Sequence, residues 1–485
     1  MLFNSWQFLV FYIVVFVLYY ALPHRYRWVM LLLASYYFYA CWNSELLILI
    51  MAITVVTYFC GRVLPKLEGG LKKLFLCLGT GIPLLALLFF KYFNFLGENL
   101  NNVFRFFALP VNISSMQIIL PVGISFYTFQ ALSYVIDVYR GSSKVEKHIG
   151  FYALYISFFP QLVAGPIERS SNLLPQFYKE HKFNYDDVVL GLKTMTWGFF
   201  KKIVVADTLA IYVDKIYGSL PQYTGFVLLL ASSFFAIQIY CDFSGYSDIA
   251  IGVAQTLGFR LMKNFNSPYF SKSIREFWKR WHISLSTFFM DYIYIPLGGS
   301  KVKLPRYVFN IMLTFIVSGL WHGANWTFVL WGGLHGIYIV AGRLTANLRK
   351  KMSQSLNLNK NTALTAIWKV CFTFMLVSVA WIFFRADTVN DAVYIFKNMF
   401  AGVSQPLAYI TAGIEQLEFT AVKACSIILS TTLLFAFDFV DMKHDIMTKI
   451  SNSNTIIRWV IYYAVLLMIL VVGQFGLSQF IYFQF

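Results

Sequence analysis

Two histidines, His322 and His282, stand in segments whose other residues are mostly aromatic, aliphatic or small. The first lies in SGLWHGANW (318–326), and the second lies in FWKRWHISLS (277–286). An imidazole has a pKa of about 6.5, so it can take up and return a proton near neutral pH. Such a group suits general acid–base chemistry on a hydroxyl group. We therefore treat His322 and His282 as candidate catalytic residues.

The neighbours of His322 predict a pocket or a close helix contact. Trp321 and Asn325 are candidate substrate contacts because they lie next to it. Glycines at 319, 323, 332, 333 and 336 allow two helices to approach closely, or one helix to break and open a pocket. His335 follows at about 220° of helical rotation, so on one straight helix the two histidines would not face the same cavity. We interpret His335 as an interhelical contact.

The residues around His282 are predicted to form one amphipathic helix at a membrane interface. At 100° per residue, one face carries Arg275, Lys279, His282 and Ser286, and the other face is apolar. The basic face could hold the phosphates of a carrier molecule or of lipid head groups. We expect Arg275 and Lys279 to bind an anionic substrate, although lipid contact explains them equally well. Neighbouring cations favour neutral His282, the form that accepts a proton.

A third polar segment, YCDFSGYSD (240–248), interrupts a long apolar stretch. Burying an ionisable group in a membrane costs several kcal/mol, so Asp242 and Ser244 are candidate substrate-binding residues. A hydrogen-bonded structural network, or a break in a helix, explains the same residues. The sequence leaves these alternatives open.

No metal site or bound cofactor is predicted. The set Asp438, Asp441, His444 and Asp445 has suitable residue types, but we interpret it as a solvated loop between two spans. The sequence also lacks a GxSxG elbow, a phosphate-binding P-loop and an HExxH helix. The expected chemistry therefore depends on histidine.

The composition identifies the scaffold that must position these residues as a membrane protein. Of its 485 residues, 59% are hydrophobic and only 13% are charged, against roughly 25% charged in soluble domains. The mean hydropathy of +0.64 is a whole-chain average, so one anchor on a soluble domain cannot account for it. The formal net charge of +17 fits cytoplasmic loops that meet anionic lipids, and we expect no nucleic-acid partner.

Long uncharged runs predict about eleven transmembrane helices, with short re-entrant and interfacial helices, in one all-α integral domain over 1–485. The runs are 1–23, 28–44, 46–61, 74–90, 106–136, 150–167, 216–241, 307–342, 370–384, 424–437 and 459–485. The run 307–342 is long enough for two helices. Basic residues follow the first and third runs, so we expect the N-terminus to lie outside the cytoplasm.

These segments together resemble the membrane-bound O-acyltransferase family. The resemblance is to the bacterial branch that contains the membrane subunit of alginate O-acetyltransferase and the protein that passes D-alanine to teichoic acids. The matching segments are FFPQLVAGPIER (158–169), YCDFSGYSD (240–248), FWKRWHISLS (277–286), WHG (321–323) and AWIFFRA (380–386). The termini MLFNS (1–5) and FIYFQF (480–485) are more similar to the alginate type.

The resemblance implies an enzyme that moves an acyl group from a thioester to a hydroxyl. It places the family's near-universal histidine on His322 and its second motif histidine on His282. It also implies a helical ring with a cytoplasmic donor entrance and an outer acceptor funnel. We expect His322 to be the base, and His282 to orient the donor or stabilise the oxyanion.

The expected function is O-acetylation of an extracellular or cell-wall polysaccharide such as alginate. The resemblance implies acetyl-CoA or another acyl thioester as donor, an exported acetyl-transfer partner and polysaccharide synthesis machinery, in a bacterial inner or plasma membrane. D-alanyl transfer to teichoic acid and peptidoglycan O-acetylation remain alternatives. A secondary transporter, whose polar residues also lie at broken helices, and a non-catalytic scaffold are alternatives of other classes.

Overall fold

The computed structural model describes residues 1–163, 165–355, 362–476 and 480–481, without the side chains of residues 352 and 353. These residues form helices, turns and loops, with no strand among them, so the all-α prediction is confirmed. Ala164 and residues 482–485, which belong to segments that carry the resemblance, lie outside the described residues.

The helices of the N-terminal half include several long apolar ones. They are α1 (Trp6–Ala21), α2 (His24–Ala40), α3 (Leu47–Val63), α4 (Gly69–Leu87), α5 (Phe93–Phe106), α6 (Ile124–Arg140), α7 (Ile149–Ser157), α8 (Ser170–Phe177), α9 (Tyr185–Phe199), α10 (Asp207–Tyr217) and α11 (Phe226–Thr256). Two π-helical segments, Leu88–Tyr92 and Phe200–Ala206, continue α4 into α5 and α9 into α10.

The C-terminal half alternates short and long helices. They are α12 (Ile274–Arg280), α13 (Ile283–Phe289), α14 (Leu304–His322), α15 (Trp326–Leu344), α16 (Ala346–Ser355), α17 (Ala363–Arg385), α18 (Val389–Asn398), α19 (Pro406–Glu415), α20 (Ala421–Asp441), α21 (Ile446–Ser451) and α22 (Thr455–Val472). The predicted division of 307–342 into two helices is confirmed by α14 and α15.

Within the described ranges, 7 helical segments are long and apolar enough to cross a membrane. They are Leu47–Lys66, Gly69–Phe106, Phe226–Thr256, Leu304–His322, Ala363–Arg385, Ala421–Asp441 and Thr455–Val472. Helix α1, with 16 residues, is also apolar but shorter. The chain is therefore a multi-pass membrane protein, and the count of about eleven crossings stays a prediction.

The prediction of a span over 106–136 is wrong in its first half, because α6 begins only at Ile124. Pro110 and Pro121 have no backbone N–H to continue a helix. The intervening chain is held instead by α5, where the Asn101 side chain exchanges hydrogen bonds of 2.7 and 2.8 Å with the backbone of Ile113.

The search for long uncharged runs also missed the helices α9 and α10. Lys201 and Lys202 interrupt the apolar pattern there, yet both are buried in the π-helical segment that joins the two helices. A helix that buries charge therefore escapes a search for uncharged runs.

The described residues divide into two compact units. The first contains residues 1–195 and 246–262, and in it α3 packs against α4, α6 and α7. Tyrosines fill its interior: Tyr134, Tyr152 and Tyr155 are fully buried, and the hydroxyl of Tyr152 donates a 2.8 Å hydrogen bond to Thr57.

The second unit contains residues 196–245 and 263–485. Its centre is the hairpin of α14 and α15, against which α17 and α12 pack. Trp281, Trp331 and Trp381 are fully buried in this unit, and the rings of Trp331 and Trp381 stack with centroids 5.6 Å apart. The two candidate catalytic histidines belong to this unit.

Candidate active site

His322 is the last residue of α14, immediately before the chain turns into α15. Gly319 and Gly332 let the two helices approach closely, because a Cβ at Gly332 would overlap the carbonyl oxygen of Phe315 and one at Gly319 would overlap that of Phe328. The prediction that these glycines allow close helix approach is confirmed. The turn between the helices leaves His322 at a helix end inside the unit.

Asn325 builds that turn. Its side-chain oxygen accepts a hydrogen bond from the backbone N–H of Thr327, which makes it the N-cap of α15. Its side-chain nitrogen donates a 2.8 Å hydrogen bond to the carbonyl of Asp387. The structure therefore gives Asn325 a structural function next to His322.

Aromatic rings surround His322, which is only 3% exposed. Its ring centroid lies 4.9 Å from those of Trp321 and Trp331 and 5.2 Å from that of Phe384, which α17 supplies. All three rings meet the imidazole edge-on. Such an enclosure limits access of water to the imidazole.

The prediction of one amphipathic helix around His282 is wrong. Helix α12 ends at Arg280 and α13 begins at Ile283, with Trp281 extended and His282 in the left-handed region at φ 42°. The break turns both side chains inward, and both are fully buried. Aromatic packing favours this arrangement, since the Trp281 ring lies 5.0 Å from the ring of Trp381.

His282 consequently does not share a helical face with the basic residues. Arg275 and Lys279 lie on α12 with exposed side chains, whereas Ser286 lies on α13. The neutral state of His282 was expected from neighbouring cations, but its cause is different: burial lowers the pKa of His282 well below its usual value.

Asn264 holds the break in place. Its Oδ1 atom lies 3.1 Å from His282 Nδ1, and it accepts hydrogen bonds from the backbone N–H and the hydroxyl of Ser284 at 3.3 and 2.9 Å. We call this arrangement of Asn264, His282 and Ser284 the Asn264 clasp. Sequence analysis missed Asn264, because nothing local connects it to a histidine so far along the chain.

The Asn264 clasp fixes the tautomer of His282. The backbone N–H of Ser284 can only donate, so the Asn264 atom facing it must be the oxygen. That oxygen can only accept, and Nδ1 of His282 must therefore carry the proton. In the neutral ring, Nε2 is then the nitrogen with the lone pair.

Both candidate histidines contact one indole. The ring centroid of Trp321 lies 5.9 Å from that of His282 and 4.9 Å from that of His322. Phe243 of α11 covers another side of His282, with centroids 4.6 Å apart. The structure thus brings together three of the predicted residues, His282, Trp321 and His322, in one buried aromatic region.

Asp242 belongs to a buried ion network. Its Oδ1 lies 2.7 Å from Nζ of Lys202, and the same ammonium group lies 2.7 Å from Asp207. The Oδ2 atom of Asp242 accepts a hydrogen bond from the backbone N–H of Ile481. Helix α11 runs through this segment without a break, which excludes the helix-break alternative. The structural-network alternative describes Asp242 well. The hydroxyl of Ser244 is buried and has no hydrogen-bond partner among the described residues.

Sequence analysis did not single out Lys202. The signal was available in WGFFKKIVVA (197–206), where two lysines interrupt an apolar run. Polar residues inside apolar runs are candidate functional residues, and this criterion would have identified Lys202.

His335 and Asp438 are both buried. The indole N–H of Trp278 donates a 3.2 Å hydrogen bond to Nδ1 of buried His335, which confirms an interhelical contact.

The solvated-loop interpretation is wrong for Asp438, which is buried in α20 and accepts a 2.6 Å hydrogen bond from Tyr240. No cluster of three or more metal-binding side chains occurs in the part of the chain that the structure describes.

Comparison with known proteins decides the family. The family model for membrane-bound O-acyltransferases matches residues 145–386, a range that contains Asp242, His282 and His322. The "Probable alginate O-acetylase AlgI" of Pseudomonas putida is 40% identical over 404 residues, which cover 83% of this chain and 80% of that protein. The chain belongs to the membrane-bound O-acyltransferase family. The predicted reaction class, acyl transfer, is therefore confirmed for this acyltransferase.

Other relatives carry out related transfers. The "Peptidoglycan O-acetyltransferase" of Helicobacter pylori is 36% identical to this acyltransferase, over 76% of this chain and 73% of that protein. The "Teichoic acid D-alanyltransferase" of Bacillus subtilis is 29% identical, over 53% of this chain and 68% of that protein. The two alternatives within acyl transfer are thus represented among the relatives.

Proposed function

We propose that this acyltransferase takes an acetyl group from a cytoplasmic thioester and delivers it for O-acetylation of an extracellular or cell-wall polysaccharide such as alginate. The donor is acetyl-CoA or another acyl thioester. Support comes from the identity and coverage of the alginate O-acetylases, which exceed those of the D-alanyltransferase. Peptidoglycan O-acetylation is the second candidate, favoured by a relative of similar coverage.

The observation that carries the proposal is the placement of two buried imidazoles against one indole. His322 and His282 both contact Trp321, inside the range that the family model matches. Burial excludes water, which would otherwise hydrolyse a thioester. Burial also keeps His282 neutral, because it lowers the pKa of this ring well below its usual value.

His322 acts as the general base in this proposal. It takes the proton from the attacking hydroxyl while the new C–O bond forms at the thioester carbonyl. The tetrahedral intermediate then collapses, the C–S bond breaks, and the leaving thiolate receives the proton from His322. A positioned base of this kind contributes about 10² to 10⁴ in rate.

His282 orients a reactant by accepting a hydrogen bond. Its neutral ring presents the lone pair of Nε2, since Nδ1–H points at Asn264. Stabilising an oxyanion would require a protonated ring, and burial opposes protonation. The oxyanion alternative proposed from the sequence is therefore less consistent with the structure.

A different donor suits the oxyanion. The indole N–H of Trp331 is buried and has no hydrogen-bond partner among the described residues. Its ring lies 4.9 Å from that of His322, centroid to centroid. We assign Trp331 to the oxyanion, and expect removal of one such donor to cost about 10² to 10³ in rate.

The exposed face of α12 suits approach of a charged donor. Arg275 and Lys279 are exposed there, so they steer an anionic thioester through long-range attraction. Asp242 and Asn325 are occupied by structural contacts. Ser244 has a buried hydroxyl without a hydrogen-bond partner among the described residues, and in this proposal it binds substrate.

The membrane arrangement in this proposal is one integral domain with about eleven crossings and the N-terminus outside. Basic residues after the first and third helices support that orientation. The cell membrane of a bacterium is the proposed location. An exported acetyl-transfer protein and polysaccharide synthesis machinery are the proposed partners, since acetyl groups must still reach the polymer.

Two labels in one strain test the acyl group and the acceptor. Cells that lack the chromosomal gene are complemented with the wild-type chain, fed acetate and D-alanine with different isotopes, and the isolated polymers are analysed. Acetate label in an exported polysaccharide supports the proposal. D-alanine label in ester linkage on teichoic acid, or ester-linked acetate label confined to peptidoglycan, would contradict it in favour of the corresponding relative. Solute uptake by the purified chain without any acyl transfer would indicate a transporter.

A further inference from the structure

A pocket with a strongly basic lining lies in the first unit, where the first turns of α2 and α7 meet the end of α8. Its cavity volume is about 280 Å³. The basic side chains that line it are His24, Arg25, Arg27, His148 and Lys179. No carboxylate lines it within the described residues, although nearby Glu146 accepts a 2.7 Å hydrogen bond from the backbone N–H of His148. We call it the basic pocket.

The inner wall of the basic pocket is apolar. Leu31, Leu154, Phe177 and Phe259 are lining residues that are almost fully buried. Apolar walls strengthen the attraction between a bound charge and the cations beside it, because they lower the local dielectric constant.

Arg27 is fixed before any ligand arrives. Its Nε donates a 2.9 Å hydrogen bond to the carbonyl of Leu22, its Nη1 donates a 2.5 Å hydrogen bond to that of His181, and its guanidinium lies 4.8 Å from the ring centroid of Tyr19. All of these partners are neutral. The full positive charge of Arg27 therefore remains available, in a preorganised position.

Arg25 and Lys179 lie at the rim with exposed side chains. Neither forms an ion pair with a carboxylate within the described ranges. Burial lowers the pKa of neighbouring His181, a hydrogen bond with the carbonyl of Gln176 opposes this, and the nearby charges of Lys179 and Arg27 lower it further.

The position of these cations is unfavourable without an anion. Arg25 and Arg27 lie in the first turns of α2, where the helix dipole disfavours positive charge. Neither an acidic residue in the first turn nor a side-chain cap compensates them. A bound anion would offset this unfavourable placement of positive charge.

We propose that the basic pocket binds a phosphate group. A fixed arginine fork at the wall and two flexible cations at the rim match the charge and the multiple acceptor oxygens of a phosphate. The phosphate belongs either to the head group of an anionic lipid or to a soluble phosphate. The inference does not depend on the proposed acyl transfer, because the basic pocket contains none of the residues assigned to it.

The test uses the full chain in lipid nanodiscs. Apparent affinity is measured from the midpoint of thermal unfolding, followed by intrinsic tryptophan fluorescence. One arm titrates inorganic phosphate into phosphatidylcholine discs at constant ionic strength, and the other raises the phosphatidylglycerol content of the discs. The variant Arg25→Gln/Lys179→Gln removes the two rim cations. The matched control, Lys66→Gln/Lys73→Gln, removes two exposed cations elsewhere in the same unit.

We expect a saturable rise of the midpoint for the wild type and the control. In the rim variant the apparent affinity should fall by about tenfold to a hundredfold, the equivalent of a lost charge-assisted hydrogen bond. A response to inorganic phosphate identifies a soluble ligand, and a response to phosphatidylglycerol alone identifies a lipid. No saturable response in either arm, or an equal loss in both variants, would overturn the proposal.

Discussion

Replacing Asn264 by aspartate is expected to give the acyl-transfer reaction a new dependence on pH. In the wild type, burial keeps the pKa of His282 well below its usual value, so the ring stays neutral across the working range. The Asn264→Asp substitution keeps an acceptor 3.1 Å from Nδ1 but makes it anionic. An anion at this distance favours the protonated ring.

The size of the effect follows from that distance. An opposite charge within about 4 to 6 Å shifts a pKa by about 1 to 3 units, and each unit corresponds to about 1.4 kcal/mol. The pKa of His282 therefore rises toward neutrality. Below it the ring is protonated and Nε2 no longer accepts a hydrogen bond, so activity should fall on the acidic side.

The assay is the pH profile of kcat/KM between about pH 5 and 8 for the purified chain in proteoliposomes, read as thiol released from an acyl thioester. The Asn264→Asp variant should show an acid limb at higher pH than the wild type. Asn266→Asp is the matched control, because that side chain is exposed two residues away. Superimposable profiles for the wild type and Asn264→Asp, with both proteins folded, would refute the reasoning about the Asn264 clasp.

Three further predictions concern the scaffold. Gly332→Ala should destabilise the hairpin of α14 and α15 by about 1 to 3 kcal/mol or more and reduce the rate of acyl transfer. Gly333→Ala is the control: nothing lies within 4 Å of its added Cβ, so thermal stability and the rate of acyl transfer should stay near those of the wild type. Lys202→Met leaves two buried carboxylates without their cation, so it should lower the yield of folded protein by more than Asp242→Asn does. Fluorescence-detected size-exclusion chromatography measures the yield, and equal yields for the two variants would contradict this prediction. Burial raises the pKa of Glu168 to about 7, so its contribution to stability is greatest below about pH 4.5 and falls by about 3 kcal/mol as pH rises from about 4.5 to 7. Glu168→Gln should flatten the pH dependence of the melting temperature in that range, and an unchanged slope would count against it.

His322 shows what sequence reasoning can find. A histidine among tryptophans and glycines in an uncharged run stands out because the surrounding composition is so uniform, and the two-helix division of that run follows from length alone. Close packing at Gly319 and Gly332 was likewise predictable, since only glycine allows such an approach.

His282 shows where sequence reasoning ends. Helical periodicity predicted one continuous helix, but the left-handed backbone at His282 is imposed by burial of Trp281 and by Asn264, which contacts it through tertiary structure. Periodicity describes local preference and cannot register a contact made across a loop. The error mattered, because it placed a buried imidazole on an exposed basic face.

Lys202 illustrates a different limit. Its charge made α9 and α10 unrecognisable as buried helix, although Asp207 and Asp242 each lie 2.7 Å from its ammonium group. Pairing of this kind depends on residues distant in the chain, and the sequence alone does not say which charges will meet.

The rate of acyl transfer by the purified, reconstituted His322→Ala variant tests the central claim most directly. With a labelled acyl thioester and a hydroxyl acceptor, we expect the rate to fall by about 10² to 10⁴, while thermal unfolding stays cooperative. The matched substitution His444→Ala, at an exposed histidine, should transfer at the wild-type rate. A folded His322→Ala protein that transfers the acyl group as fast as the wild type would contradict the account.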